Sequence, residues 1–86
     1  MRVLLVEDER PLAEAIRRLL EQEHYMVDVS VNGLDGVDNA LSGIYDAMVL
    51  DVMLPGMDGF TVLQKVREAN STLPVLMLTA RGDVQD

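Results

Sequence analysis

Cysteine is absent from the 86 residues, so neither a disulfide framework nor a thiolate metal site can be built. No apolar run approaches the ~20 residues that a membrane-crossing helix needs. The opening Met1-Arg2-Val3-Leu4-Leu5-Val6 is too short for a secretory signal, and Glu7-Asp8-Glu9 follows at once. These gaps fit a cytoplasmic protein with no membrane partner. Basic charge is scarce: seven Lys and Arg stand against fifteen Asp and Glu, a formal net charge of -8. Nucleic-acid affinity comes from Lys and Arg against phosphates, so no direct nucleic-acid contact is expected of this segment. The acidic excess suits divalent cations or basic partners. The length suits one domain with a small core.

What is present is an alternation of apolar runs and amphipathic stretches. Val3 to Val6 reads as a strand apolar on both faces. A helix then opens at Pro11, with Leu12, Ala15, Ile16, Leu19 and Leu20 at the spacing of one buried face. Val27, Val29 and Val31 alternate with Asp28 and Ser30, the pattern of an edge strand. Asn32-Gly33 turns the chain into a second helix around Leu34, Val37, Ala40 and Leu41. Gly36 weakens that helix and Gly43 ends it. Ala47 to Leu50 is a third strand. A third helix over Gly59 to Ala69 presents Phe60, Leu63 and Val66 to the sheet, with Asp58 as its cap. Val75 to Leu78 is a fourth strand, apolar throughout. This order predicts an α/β fold, a doubly wound parallel sheet with right-handed crossovers and helices on both faces.

Chemistry-bearing side chains gather at the strand ends. Glu7 and Asp8 follow the first strand, Asp51 follows the third, and Thr79 follows the fourth. Parallel strands bring these ends to one edge. With the spatial order 2-1-3-4 they converge where the winding reverses. Clustered carboxylates repel one another and recruit a cation, and an all-oxygen site suits Mg²⁺. Thr79 offers a hydroxyl donor to a phosphoryl oxygen. The Pro55, Gly56 and Gly59 loop turns the chain sharply after Asp51. His24, alone at a helix end, reads as a solvated side chain.

Val6-Glu7-Asp8-Glu9, the run Asp51-Val52-Met53-Leu54-Pro55-Gly56-Met57-Asp58-Gly59, and Leu78-Thr79-Ala80-Arg81 together resemble the receiver domain of bacterial two-component response regulators. The wording is most similar to the OmpR/PhoB type. The resemblance spans residues 1–86. It implies a flavodoxin-like, CheY-like sheet of order 2-1-3-4. It implies that Asp51 accepts a phosphoryl group from the phosphohistidine of a sensor histidine kinase. Glu7, Asp8 and Asp51 would hold Mg²⁺, with Met53 contributing only its backbone carbonyl. Thr79 would contact the phosphate and act as a switch, and the output would be transcription in a longer, DNA-binding chain.

One departure from the family pattern stands out. The family places a lysine on a fifth strand, and neither that strand nor the last helices occur here. Lys65 falls on the third helix, so it cannot replace that lysine. The 86 residues are therefore expected to be a truncated receiver domain that phosphorylates poorly. Its fourth strand, uncovered on the face carrying the first helix, is expected to favour self-association. Two rival readings remain: a phosphorylation-independent interaction module, and an Asp-nucleophile phosphohydrolase. Met53 stands where such hydrolases carry a second Asp, which argues against the latter.

Overall fold

The computed structural model describes residues 1–69 and 71–78. The elements run β1 (Arg2–Val6), α1 (Arg10–Gln22), β2 (Met26–Ser30), α2 (Gly33–Ala40), β3 (Ala47–Asp51), α3 (Gly59–Glu68) and β4 (Val75–Leu78). The four strands form one parallel sheet of order β2-β1-β3-β4. The expected architecture and strand order are both present. Each crossover carries a helix, as parallel pairing requires.

Alternation along the strands divides the core into two layers. Leu4, Val6, Met48 and Leu50 face one way and meet Ala40 of α2 and Val62 and Val66 of α3. Val3, Leu5 and Val49 face the other way and meet Ala13 of α1, with Ile16 and Leu20 beside it. Burial of β1 and β3 on both faces explains why they read as unbroken apolar runs. β2 lies at an edge, as its alternation requires, but it begins at Met26 and Val31 lies beyond its end.

Several helix faces differ from the periodic reading. In α1 the buried residue is Ala13, while Leu12, Ala15 and Leu19 are exposed. In α2 the buried residues are Gly33, which packs on Met57 and Val62, with Gly36 and Ala40, and Leu34 is 68% exposed. In α3 they are Gly59, Val62 and Val66, and Phe60 is 63% exposed. The helices sit close to the sheet through small or β-branched residues. Leu34 and Phe60 are too bulky for those contact lines and rotate outward. Apolar spacing located the helices and placed Ile16, Leu20, Val37, Ala40, Leu63 and Val66 against the core, but it also put the exposed Leu12, Ala15, Leu19, Leu34, Leu41 and Phe60 there.

The turns are held by named bonds. The Asn32 side chain caps α2 by accepting from the Asp35 N–H at 2.8 Å. Asp58 caps α3 by accepting from the Thr61 N–H at 2.9 Å, as expected. At the far edge of the sheet Asp28 accepts from the Tyr45 hydroxyl at 2.8 Å and from the Arg2 guanidinium at 3.1 Å. Those bonds, the tyrosine's first, hold the Asp28 carboxyl below its ordinary pKa.

The end of α1 supplies a stability prediction. The His24 N–H donates to the Glu21 carbonyl at 2.9 Å, and the Tyr25 N–H to the Leu20 carbonyl at 3.2 Å. That pair is a Schellman closure, and it places His24 at φ 70°. A residue with a Cβ is strained there by about 1 kcal/mol. His24→Gly is expected to raise the melting temperature by roughly 4 °C, measured by thermal circular dichroism. An unchanged or lower melting temperature contradicts the prediction.

Candidate functional site

The carboxyl edge of the sheet is built by β1 and β3 lying side by side, with Val6 opposite Leu50. β1 crosses to β2 on one side and the chain returns to β3 on the other, so this is the point where the winding reverses. Glu7 and Asp8 leave β1 here, and Asp51 ends β3. Each offers a carboxylate oxygen, and the three oxygens lie within 4.8 Å of one another. Glu7 is 1% exposed and Asp51 is 7% exposed. Among the described residues no salt bridge reaches any of the three.

Backbone groups hold these side chains. The Glu7 N–H donates to the Ser30 carbonyl at 2.9 Å, extending the β1–β2 pairing by one residue. The Glu7 Oε2 accepts from the Glu9 N–H at 3.0 Å. The Asp51 Oδ1 accepts from the Met53 N–H at 3.1 Å. Beyond Asp51, the Val52 N–H donates to the Leu78 carbonyl at 3.0 Å, and the Val52 carbonyl accepts from the Gly59 N–H at 2.8 Å. The loop is thus pinned to β4 on one side and to the start of α3 on the other. A Cβ on Gly59 would overlap the Asp51 carbonyl oxygen and lie 2.8 Å from the Val52 Cα. Only glycine permits that approach.

The structure brings together Glu7, Asp8 and Asp51 from the expected set. Met53 has its N–H on Asp51, while its side chain is exposed. Thr79 lies outside the described residues, although Leu78 before it pairs with Asp51. Lys65 is exposed on α3. Two contributors were missed in the sequence. Glu9 was given no role of its own, but it acts through its backbone N–H on Glu7. Ser30 was read as the polar face of an edge strand, but it is buried and supports Glu7 through its carbonyl. The signal for Glu9 was a carboxylate, Glu7, two residues before the N-cap of a helix.

Burial raises the Glu7 carboxyl above its ordinary pKa of 4.5, with the charges of Asp51 and Asp8 adding to the effect and the Glu9 N–H opposing it. The folded state therefore holds this proton more tightly than the unfolded chain. The stability it contributes is full below pH 4.5 and is lost as pH rises through the folded value. In chelator, Glu7→Gln is expected to melt a few degrees above the parent at neutral pH, while keeping an acceptor for the Glu9 N–H. The gap should close toward about pH 4, where Glu7 is protonated in both states. A gap constant across a pH series of melts contradicts this.

The doubly wound α/β domain thus carries an acidic cluster of three carboxylates at its switch point, one of them on the aspartate that ends β3. The chain belongs to the response regulator receiver domain family, whose model matches residues 3–86. It is similar to the transcriptional regulatory protein DltR of Streptococcus agalactiae, with 46% identity over 86 residues, covering 100% of this chain and 38% of that protein. It is similar to the response regulator ArlR of Staphylococcus aureus, with 43% identity over 84 residues, covering 98% of this chain and 38% of that protein. Among solved structures it is similar to the response regulator TrrA of Thermotoga maritima in complex with Mg²⁺-BeF. That match has a TM-score of 0.88 and 32% identity, and covers 94% of this chain and 70% of the other. The chain thus spans under two-fifths of the length of the curated relatives named here.

Proposed function

We propose that Asp51 is the phosphoacceptor of a two-component response regulator and that Glu7, Asp8 and Asp51 hold Mg²⁺ beside it. The observation that carries this reading is the meeting of three carboxylate oxygens within 4.8 Å, with no cationic side chain paired to them among the described residues. Such a hard oxygen set fits Mg²⁺. The solved relative TrrA, in complex with Mg²⁺-BeF, supports the same assignment. Bound there, the ion would offset carboxylate charge and lower the cost of bringing an anionic phosphoryl group near.

The chain's own groups do the rest. Asp51, held by the Met53 N–H, presents its other carboxylate oxygen to the phosphorus of a phosphohistidine on a sensor histidine kinase. The new O–P bond forms as the P–N bond breaks, and the electron pair leaves with the imidazole nitrogen. The Met53 carbonyl would add an oxygen to those that hold the cation. Thr79 donates its hydroxyl to a phosphoryl oxygen, a reading supported by the pairing of Leu78 with Asp51. The added charge then biases the segment after β4. The kinase partner and a transcriptional output are those of a two-component response regulator. The chain's kinship with DltR supports a transcriptional output. A cytoplasmic location fits a partner kinase that presents its phosphohistidine there. Leu76 on β4 is 62% exposed, which supports self-association of this piece through that strand.

Incubation with Mg²⁺ and a phosphohistidine donor, or a small acyl phosphate, tests the reading. Slow formation of an alkali-labile acyl phosphate that maps to Asp51 is the expected result. Label at another residue, or none after prolonged exposure with Mg²⁺ bound, overturns it. No Mg²⁺-dependent shift of the Met53 amide in an NMR titration overturns the metal assignment separately.

A further inference from the structure

The acidic pocket receives support from a helix that carries none of its ligands. α2 starts at Gly33, and a Cβ built there would lie 2.9 Å from the Met57 Cβ, 3.0 Å from the Val62 Cγ2 and 3.1 Å from the Met57 carbonyl oxygen. The first turn of α2 therefore rests on the backbone of the loop that follows Asp51. Two residues later in that loop, Gly59 rests on the Asp51 carbonyl with the same intimacy. One turn further along α2, a Cβ on Gly36 would lie 3.0 Å from both γ-carbons of Val6, the residue before Glu7. The Asn39 side chain donates to the Ser30 hydroxyl at 2.8 Å, and the Ser30 carbonyl holds the Glu7 N–H. α2 thus touches the chain beside both ligand-bearing segments.

The geometry points to Gly33 as a positioning residue: by having no side chain it sets the distance between α2 and the loop after Asp51, and so the spacing of the Asp51 carboxylate from Glu7 and Asp8. The inference rests on the Mg²⁺ reading of the pocket. Two of the three contacting atoms, the Met57 Cβ and carbonyl oxygen, cannot rotate away as a side-chain tip can. An added methyl at Gly33 must move the loop or the helix. The φ of Gly33 is not in the left-handed region. Alanine is therefore opposed by its neighbours, which must shift to admit it, and not by its own backbone.

Mg²⁺ titration of the 86-residue chain, followed by calorimetry and by the Gly59 and Met53 amide signals, provides the test. The parent is titrated first; failure to bind Mg²⁺ there overturns the site assignment and this inference with it. If the parent binds, Gly33→Ala is expected to weaken Mg²⁺ by about tenfold, the usual scale for groups that orient ligands, and to move the Gly59 amide in the metal-free protein. Ala40→Gly destabilises the other end of the same helix and should change affinity less than about twofold. Equal loss in the two variants, or none in Gly33→Ala, overturns the inference while leaving the metal site standing. If Gly33→Ala does not fold, Asn32→Ala removes the cap that fixes the same turn. It should weaken Mg²⁺ measurably, and Asn32→Ser, which also caps, should restore it. An affinity indifferent to both exchanges overturns the inference.

Discussion

Asp51→Asn is expected to abolish phosphoryl uptake altogether and to weaken Mg²⁺ binding, while leaving the fold as stable as the parent or more so. The asparagine keeps an oxygen for the Met53 N–H, so the 3.1 Å bond at the start of the loop survives. It loses the nucleophile, because an amide oxygen does not form a stable phosphoryl ester under these conditions. It also removes one of three negative charges crowded within 4.8 Å, and their mutual repulsion is unfavourable to the metal-free fold. The three effects therefore separate in one variant. A phosphate-affinity gel should lose the shifted band, a Mg²⁺ titration should move to higher concentration, and a thermal melt in chelator should not move down. A variant that still takes up label would transfer the acceptor role to another residue.

Gly59→Ala is the second large effect, and it acts through the backbone. The added Cβ would overlap the Asp51 carbonyl oxygen and press on the Val52 Cα at 2.8 Å. Neither atom can yield without moving β3 or the start of α3. Asp51 and Gly59 are buried, and the Gly59 N–H is already committed to the Val52 carbonyl. Overpacking of this kind costs roughly 3 kcal/mol, a large share of what an 86-residue chain commands. Urea unfolding should show the midpoint falling sharply with an unchanged slope. A loss below about 1 kcal/mol would mean that the loop has slack at this point.

The sheet order and the three carboxylates were legible because they depend on runs and on strand ends. Val3 to Val6 and Ala47 to Leu50 are apolar without interruption, which only a strand buried on both faces requires. Parallel connection then fixes where Glu7, Asp8 and Asp51 emerge. The contact line of each helix was not legible in the same way. Leu12, Leu34 and Phe60 fit a helical period as well as Ala13, Gly36 and Val62 do, and periodicity counts hydrophobicity but not bulk. Close packing on the sheet selects the smaller set. The support given by Glu9 and Ser30 was invisible for another reason: it runs through main-chain atoms, which every residue type possesses. Gly36 looked like a weak point in a helix when read by propensity alone, and Gly33 like part of a turn. In the fold they are the places where the helix comes nearest to its neighbours.

The hydrogen bonds that fasten the loop after Asp51 run through its peptide groups, at Val52 toward β4 and α3 and at Met53 toward the carboxylate, while Leu54 is buried in the core. The methionine side chain at 53 takes no part and projects into water beside the acidic pocket. Position 53 is thus a doorpost whose shape and charge can be exchanged with the hinge left intact. On the proposed reading, an exchange of the side chain there alters the rim that a phosphoryl donor meets and leaves the hydrogen bonds of the loop in place.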